Sequence, residues 1–134
     1  MRAALVAAGT RLLVATLDGG LHDSRPQEGE PTYAAKVEAD DLRLDWTRPA
    51  AELARVVRVG GAWTTFRGKR LKVLAARAGA GPAAEEPGTL DGDRVAAGDG
   101  VLVLETVQPE GRGPQPAAAW RNGARVAPGE ALGR

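Results

Sequence analysis

The sequence predicts a mainly β, α+β protein whose largest part is a small barrel of about five to six strands. Two observations lead to this class. The second half of the chain contains short β-rich runs separated by glycine-containing turns. The first part has an apolar helical pattern followed by a polar stretch of Gly, Pro, Asp and Glu. Since 134 residues suffice for one full-sized domain, we expect a helix in residues 1–20, an extended linker in residues 21–44 and the barrel in residues 45–134.

Two helices are predicted before the strands. Residues Ala3–Leu17 form an apolar stripe of leucines and alanines, and two glycines follow it. A lone helix of this length is marginal in water, so we expect its stripe to cover another surface. The second helix is predicted to begin at Thr47 as N-cap, with Pro49 in the first turn and Glu52 near the positive end of the helix dipole.

The β-structure is predicted to begin with a hairpin. Residues Ala62–Phe66 and Lys69–Arg77 have strand character on either side of a turn at Arg67-Gly68. The elements expected after it are a loop at Ala78–Pro87, strands at Gly88–Leu90, Arg94–Ala97 and Val101–Val107, and a short helix at Ala117–Asn122. About five short strands with one helix indicate an OB-like barrel, closed or partly open.

Charge is unevenly distributed along a chain that is almost neutral overall, with 18 Lys+Arg against 17 Asp+Glu. Between Leu53 and Ala84 there is no acidic residue, and seven basic residues lie in this run. They are Arg55, Arg58, Arg67, Lys69, Arg70, Lys72 and Arg77. A cationic surface on a neutral protein indicates a polyanionic partner that contacts one face. The alternative is a set of solubilising charges on an exposed hairpin.

No catalytic or metal-binding pattern is recognisable in the sequence. The absence of cysteine excludes disulfides, cysteine-ligated zinc and thiol catalysis. His22 lies beside an aspartate and a serine, but nothing resembles a nucleophile elbow or an oxyanion hole, so we expect a solvated linker residue. Asp91, Asp93 and Asp99 do not fit a calcium loop and are expected in turns between strands. We therefore predict no catalytic residue, no metal site and no cofactor bound by this chain.

The sequence gives no sign of a membrane segment. Its apolar start is interrupted at Gly9-Thr10-Arg11 before it reaches the length of a bilayer. Nothing in it resembles a signal peptide. We expect a cytoplasmic protein with no membrane partner.

The aromatic residues are few for a protein that stacks bases. The chain has five, namely Tyr33, Trp46, Trp63, Phe66 and Trp120. At least one of Trp63 and Phe66 is expected in the core. If the partner is a nucleic acid, contacts from Arg and Lys to the phosphate backbone are the expected mode of binding.

Eight short blocks, in order, resemble the C-terminal part of the methionyl-tRNA formyltransferases. They are Leu12-Leu13 to Thr16-Leu17-Asp18, Thr32-Tyr33-Ala34-Ala35-Lys36, Leu44-Asp45-Trp46, Arg48-Pro49-Ala50-Ala51-Glu52, Gly61-Ala62-Trp63-Thr64, Gly68-Lys69-Arg70-Leu71-Lys72-Val73, Pro87-Gly88-Thr89 and Val107-Gln108-Pro109-Glu110-Gly111. That family joins an N-terminal Rossmann-like formyltransferase domain to a C-terminal OB-like barrel. It transfers a formyl group from 10-formyltetrahydrofolate to the amino group of methionyl-tRNA.

The resemblance implies a tRNA-binding C-terminal domain that acts in translation initiation. Its partner would be the acceptor side of initiator Met-tRNA. The implied RNA-binding residues are Lys36, Arg55, Arg58, Arg67, Lys69, Arg70 and Lys72. Among them, Lys36 matches a linker lysine of the family that lies near the tRNA acceptor arm; the alternative is one solvated cation in an acidic linker.

The catalytic and folate-binding residues of the family belong to the upstream domain, which this sequence lacks. The cofactor 10-formyltetrahydrofolate would therefore bind outside this chain. The resemblance implies that Ala3–Leu17 corresponds to the last helix of the catalytic domain, so a separate formyltransferase catalytic domain is an implied partner for its stripe.

Two departures from the family weaken the expected RNA contact. The segment Arg58–Gly61 is shorter than is usual in the family, and Arg112–Pro116 has one cation where the family tends to be basic. The alternatives are half of a split formyltransferase that is active only with a partner chain, an inactive remnant, or the barrel of another formyltetrahydrofolate-dependent formyltransferase.

Overall fold

The computed structural model describes residues 2–20, 25–81 and 86–134. These residues divide into two compact units, Met1–Ala35 and Lys36–Arg134. The predicted linker histidine His22 and the middle of the predicted loop at Ala78–Pro87 lie outside the described residues.

The first unit begins with helix α1, at Arg2–Gly19. It confirms the predicted N-terminal helix. Six large apolar side chains of α1 are more than half exposed, and they are Leu5, Val6, Leu12, Leu13, Val14 and Leu17. The helix therefore presents an apolar surface to solvent.

The second unit begins its regular structure with helix α2, at Ala50–Val59. The prediction that this helix starts at Thr47 is wrong. The backbone amide and hydroxyl of Thr47 both donate to Asp45 Oδ1, at 3.1 and 2.7 Å, so Thr47 caps no helix. Those two hydrogen bonds, with the hydroxyl bond the stronger cause, hold the pKa of Asp45 below its usual value. Pro49 is the N-cap instead, and the helix ends at Gly60 in a backbone conformation with φ of 95°.

In the described residues after α2, six strands and a third helix follow. They are β1 (Trp63–Phe66), β2 (Lys69–Gly79), β3 (Leu90–Asp91), β4 (Arg94–Ala96), β5 (Val101–Pro109), β6 (Gln115–Pro116) and α3 (Ala117–Ala124). The strands form one antiparallel sheet in the order β1-β2-β5-β4-β3, with β6 paired to β5. The mainly β, α+β class is confirmed. Across the described ranges the end strands β1 and β3 do not pair, so the sheet is open.

The predicted hairpin and its turn are confirmed. Strands β1 and β2 pair from Trp63 opposite Lys72 to Phe66 opposite Lys69. Arg67 and Gly68, the two residues between the strands, have φ of 48° and 73°. Positive φ at both central positions is what a type I′ turn requires, and glycine adopts it without steric cost.

One core cluster lies on the inner side of the sheet. Helix α2 packs its buried face, which includes Leu53, against β2 and β5. Phe66 and Trp120 meet edge to face with ring centres 5.1 Å apart. The indole of Trp46 donates a 3.0 Å hydrogen bond to Thr64 Oγ1, which satisfies both buried polar groups. The prediction that at least one of the hairpin aromatics is buried holds for Phe66.

Candidate nucleic-acid interface

The hairpin separates its side chains by alternation along each strand. Leu71 and Val73 are buried, whereas Arg70 and Lys72, which alternate with them along the strand, are exposed. Adjacent residues of a strand point to opposite faces of the sheet, so the two cations share the outer face. Trp63 is directly opposite Lys72 across the pair of strands and is half-buried. An exposed patch of positive charge around one indole ring results, and we call Trp63, Arg70 and Lys72 the hairpin face.

Two guanidinium groups lie over the Trp63 ring. The central guanidinium carbon of Arg70 is 3.9 Å from the ring centre, and that of Arg43 is 5.5 Å from it. The indole nitrogen of Trp63 donates a 2.7 Å hydrogen bond to the carbonyl of Ala39, which restrains the ring. At exposed sites each such cation–π contact contributes about 0.5–1 kcal/mol. These contacts hold the Arg70 side chain in a defined position on the hairpin face.

Arg67 has a different environment at the tip of the hairpin. Its Nε and Nη2 donate to the two carboxylate oxygens of Glu130, both at 2.8 Å. Its guanidinium also donates to the carbonyls of Ala124 and Arg125, at 3.1 and 3.4 Å, and lies 4.7 Å over the Phe66 ring. The hydrogen bond to Arg67 is the main cause of the lowered pKa of Glu130, and the same bond raises the pKa of Arg67. The guanidinium therefore joins the hairpin to the C-terminal segment.

The cations at the hairpin tip border two neighbouring surface pockets. One, of about 180 Å³, has Arg70, Lys72 and Glu110 among its lining residues. The other, of about 270 Å³, is lined by Lys69, Arg112 and Arg70 together with the edge of the core. Glu110 lines both pockets, and its carboxylate accepts the backbone N–H of Arg70 at 3.0 Å. The pockets thus have more cationic than anionic groups, and their one carboxylate is hydrogen-bonded to the backbone.

The other predicted RNA-binding residues are exposed and lie elsewhere on the second unit. Arg55 and Arg58 are on α2, and Lys36 lies at the beginning of the unit. Within the described part of the chain, no side-chain hydrogen bond, ion pair or cation–π contact joins them to the hairpin face. Among those same residues, no carboxylate lies within salt-bridge distance of Lys36, Arg55, Arg58, Lys69, Arg70 or Lys72. By contrast, Arg77 of the acid-free run pairs with Glu105 at 3.3 Å.

Two cations near the hairpin are missing from the residues predicted by sequence. Arg43 lies over the Trp63 ring, although it belongs to an acidic stretch of the sequence that includes Asp40, Asp41 and Asp45. Arg112 lines the larger pocket. The only signal for either in the sequence is proximity to a block that resembles the family, because both contacts join residues distant along the chain.

Two other features are absent from the described part of the chain, a cluster of metal ligands and a membrane-spanning helix. No group of three or more His, Cys, Asp or Glu side chains there is placed to hold a metal ion. No helix within residues 2–20, 25–81 and 86–134 is long and apolar enough to cross a membrane.

The chain is similar to known proteins over nearly all its length. The family described as "Formyl transferase, C-terminal domain" matches residues 36–125. Proteins named methionyl-tRNA formyltransferase from Frankia casuarinae, Roseiflexus castenholzii and Streptomyces coelicolor are 41%, 42% and 41% identical to it, each over 96% of this chain. The chain spans 47%, 45% and 46% of the length of those relatives, respectively.

A solved structure supports the same fold. A variant of HypX from Aquifex aeolicus aligns with a TM-score of 0.64 over 93% of this chain and 24% of that protein, at 17% identity. At that identity the likeness concerns the fold alone. Family and relatives agree with the resemblance found in the sequence. The chain therefore belongs to the formyl transferase C-terminal domain family and is a homologue of the methionyl-tRNA formyltransferases.

Proposed function

We propose that residues 36–134 bind tRNA, namely the acceptor side of initiator Met-tRNA, through contacts to its phosphates. The observation that carries this proposal is the hairpin face, where Arg70 and Lys72 are exposed on one side of the sheet and pair with no carboxylate of the described residues. The names of the relatives, which are methionyl-tRNA formyltransferases, support tRNA as the polyanion.

The predicted residues contribute unequally in this proposal. Lys69, Arg70 and Lys72 make the principal contacts, while Lys36, Arg55 and Arg58 support them from other parts of the unit. Arg67 contributes charge, but its guanidinium is already bonded to Glu130, so we assign it a role in folding before a role in binding. The domain would act in the cytoplasm, as part of translation initiation.

The chemical step is assigned to a part of the relatives that this chain does not span. The formyl donor 10-formyltetrahydrofolate and the catalytic residues would belong to a formyltransferase catalytic domain. The exposed apolar side chains of α1 favour such a partner. In soluble proteins the apolar face of a helix is normally covered, and a large exposed apolar patch marks a site of interaction. The chain then acts as the tRNA-binding half of a formylating enzyme.

The binding proposal is tested by the salt dependence of tRNA affinity. Neutralising a cation that contacts phosphate reduces the slope of log K against log salt by about one. We expect the double variant Lys69→Ala/Lys72→Ala to bind tRNA more weakly and to lower the slope by about two.

A matched control separates contact from net charge. Arg48 and Arg77 are exposed cations that already pair with Glu52 and Glu105. The variant Arg48→Ala/Arg77→Ala removes the same charge and should leave the slope close to that of the wild type. Equal effects of the two double variants would contradict the proposed interface, and an absence of tRNA binding by the wild-type chain would favour an inactive remnant.

The catalytic proposal has its own test. The chain is mixed with a separately produced formyltransferase half, and formylation of Met-tRNA is measured. Activity of the mixture, with neither half active alone, is the expected result. No activity of the mixture, although both halves are folded, would argue against a split enzyme and leave the tRNA-binding proposal to the salt titration.

A further inference from the structure

Arg70 is held in place by an aromatic ring, and its guanidinium makes no hydrogen bond to the residues that the structure describes. The ring of Trp63 lies 3.9 Å below its central carbon and is itself restrained by Ala39. Within residues 25–81 and 86–134 the Arg70 side chain makes no hydrogen bond, whereas its backbone N–H and carbonyl both bond with Glu110. The guanidinium of Arg70 is therefore exposed and restrained, and its N–H donors are available to bind a ligand.

The geometry of the pair restricts what that ligand is. A guanidinium group is planar, and at 3.9 Å from the ring centre its central carbon is too close for an edge-on approach, so one face of the Arg70 group lies against the indole. The side chain is exposed, so its other face is accessible. Unpaired bases of RNA stack on arginine planes as well as on aromatic rings. A phosphate, in contrast, needs only the charge and the donors, which a lysine also supplies.

The neighbouring cations place charge where a nucleotide stacked on Arg70 needs it. Lys72 lies on the next outward-facing position of β2 and directly opposite Trp63. Arg43 lies over the same ring at 5.5 Å. A base on the plane of Arg70 thus has cations nearby for the phosphates attached to its sugar. In a duplex every base is paired and stacked, so the arrangement favours a single-stranded segment.

We propose that the Arg70–Trp63 pair stacks one unpaired base of single-stranded RNA. The inference depends on the proposed function, since it takes RNA as the partner of the hairpin face. It adds to phosphate binding a contact with the base itself. It also differs from the expectation from sequence, in which aromatic residues were too few for stacking, because the stacking surface here is an arginine supported by a single tryptophan.

The substitution Arg70→Lys distinguishes stacking from charge. It keeps the positive charge and removes the plane. We measure binding of the full chain to a single-stranded RNA hexamer and to a duplex RNA with the same number of phosphates. We expect Arg70→Lys to bind the hexamer roughly five- to tenfold more weakly, the lower part of the range for loss of a stacked base, with the salt slope unchanged. Duplex binding should change by less than about twofold.

Arg77→Lys is the matched control, because it makes the same charge-preserving exchange at an exposed arginine of β2 that pairs with Glu105 and is not among the residues assigned to binding. It should leave hexamer affinity within about twofold of the wild type. A second variant, Trp63→Phe, keeps a smaller ring under Arg70 and should reduce hexamer affinity less than Arg70→Lys does. Circular dichroism and the thermal unfolding midpoint check that each variant is folded.

The outcomes separate this inference from the proposed function. If Arg70→Lys binds the hexamer as tightly as the wild type, stacking is refuted. If Arg70→Ala then still weakens tRNA binding, Arg70 contacts phosphate without stacking a base, and the proposed function is retained. If neither Arg70→Ala nor the lysine double variant affects tRNA, both proposals fail. Equal loss of hexamer and duplex binding in Arg70→Lys would also overturn the inference, since a duplex offers no free base.

Discussion

The two sides of the β1–β2 hairpin differ in what their side chains contact. On the inner side, Thr64, Leu71 and Val73 are buried, and the Thr64 hydroxyl accepts the Trp46 indole N–H. On the outer side, Arg70 and Lys72 are exposed, and no carboxylate of the described residues pairs with them. Since one step along a strand exchanges the two sides, groups that stabilise the fold alternate with groups that are available for a ligand. Stability and binding should therefore respond to separate sets of substitutions.

The largest expected effect is a loss of stability from the inner side. Leu53, on α2, is 1% exposed in the core cluster. Leu53→Ala should lower the free energy of unfolding by about 2–5 kcal/mol, because it removes buried methylenes and leaves a cavity. Urea unfolding measures the change, and the folded fraction should retain its tRNA affinity. A loss of tRNA affinity in the folded protein would contradict the separation of the two sides.

A smaller loss is expected from the buried hydrogen bond. Thr64→Val keeps the shape of the side chain but leaves the Trp46 indole N–H without its acceptor, which costs about 1–3 kcal/mol. Thr65 is the matched control. It follows Thr64 in β1, is half-buried and faces the outer side of the hairpin. Thr65→Val should change the free energy of unfolding by less than about 0.5 kcal/mol. Similar losses of stability at both positions would contradict the separation of stabilising residues on the inner side from residues on the outer side.

The smallest effect is expected at Glu130, and it depends on pH. The hydrogen bond from Arg67, followed by that from the Ala127 amide, lowers the pKa of Glu130 in the folded protein. A lowered folded-state pKa stabilises the fold above the unfolded pKa of about 4.3, and this contribution is lost as the pH falls through the lower folded value. Glu130→Gln should therefore lower the thermal unfolding midpoint at pH 7, and the difference should shrink below about pH 4.

Glu105→Gln provides the comparison for that pH dependence. Glu105 forms an exposed ion pair with Arg77, and exposed pairs contribute little to stability. The thermal unfolding midpoint of Glu105→Gln should stay near that of the wild type both at pH 7 and below about pH 4. A pH-independent difference for Glu130→Gln would mean that its carboxylate does not stabilise the fold through the contact with Arg67.

Local signals in the sequence predicted the hairpin well. Its turn needs two positive φ values, and Arg67-Gly68 supplies the glycine between two β-rich runs. The start of α2 was mispredicted for an equally local reason, as the Thr47 hydroxyl bonds to Asp45 and not to the helix. Strand β6 was missed because two residues, Gln115–Pro116, show no alternation; they are a strand only through pairing with β5.

The sequence predicted which cations lie on the hairpin, but not which of them are available for a ligand and which are bonded within the fold. The acid-free run and the resemblance to the family both indicated the hairpin cations. Neither showed that Arg67 bonds to Glu130, because the two residues are 63 positions apart and meet only when the C-terminal segment folds back. The same holds for Arg43, which reaches Trp63 across 20 positions of the chain. The OB type of the sheet stays a prediction.

The partial burial of Trp63 also gives the hairpin face an optical property. The other two tryptophans, Trp46 and Trp120, are both 5% exposed. An indole that is partly exposed and next to guanidinium groups is more accessible to soluble quenchers than a buried one, and it is more sensitive to changes in nearby charge. The face that we assign to RNA therefore contains an intrinsic fluorophore, and its emission would report occupancy of that face without a label.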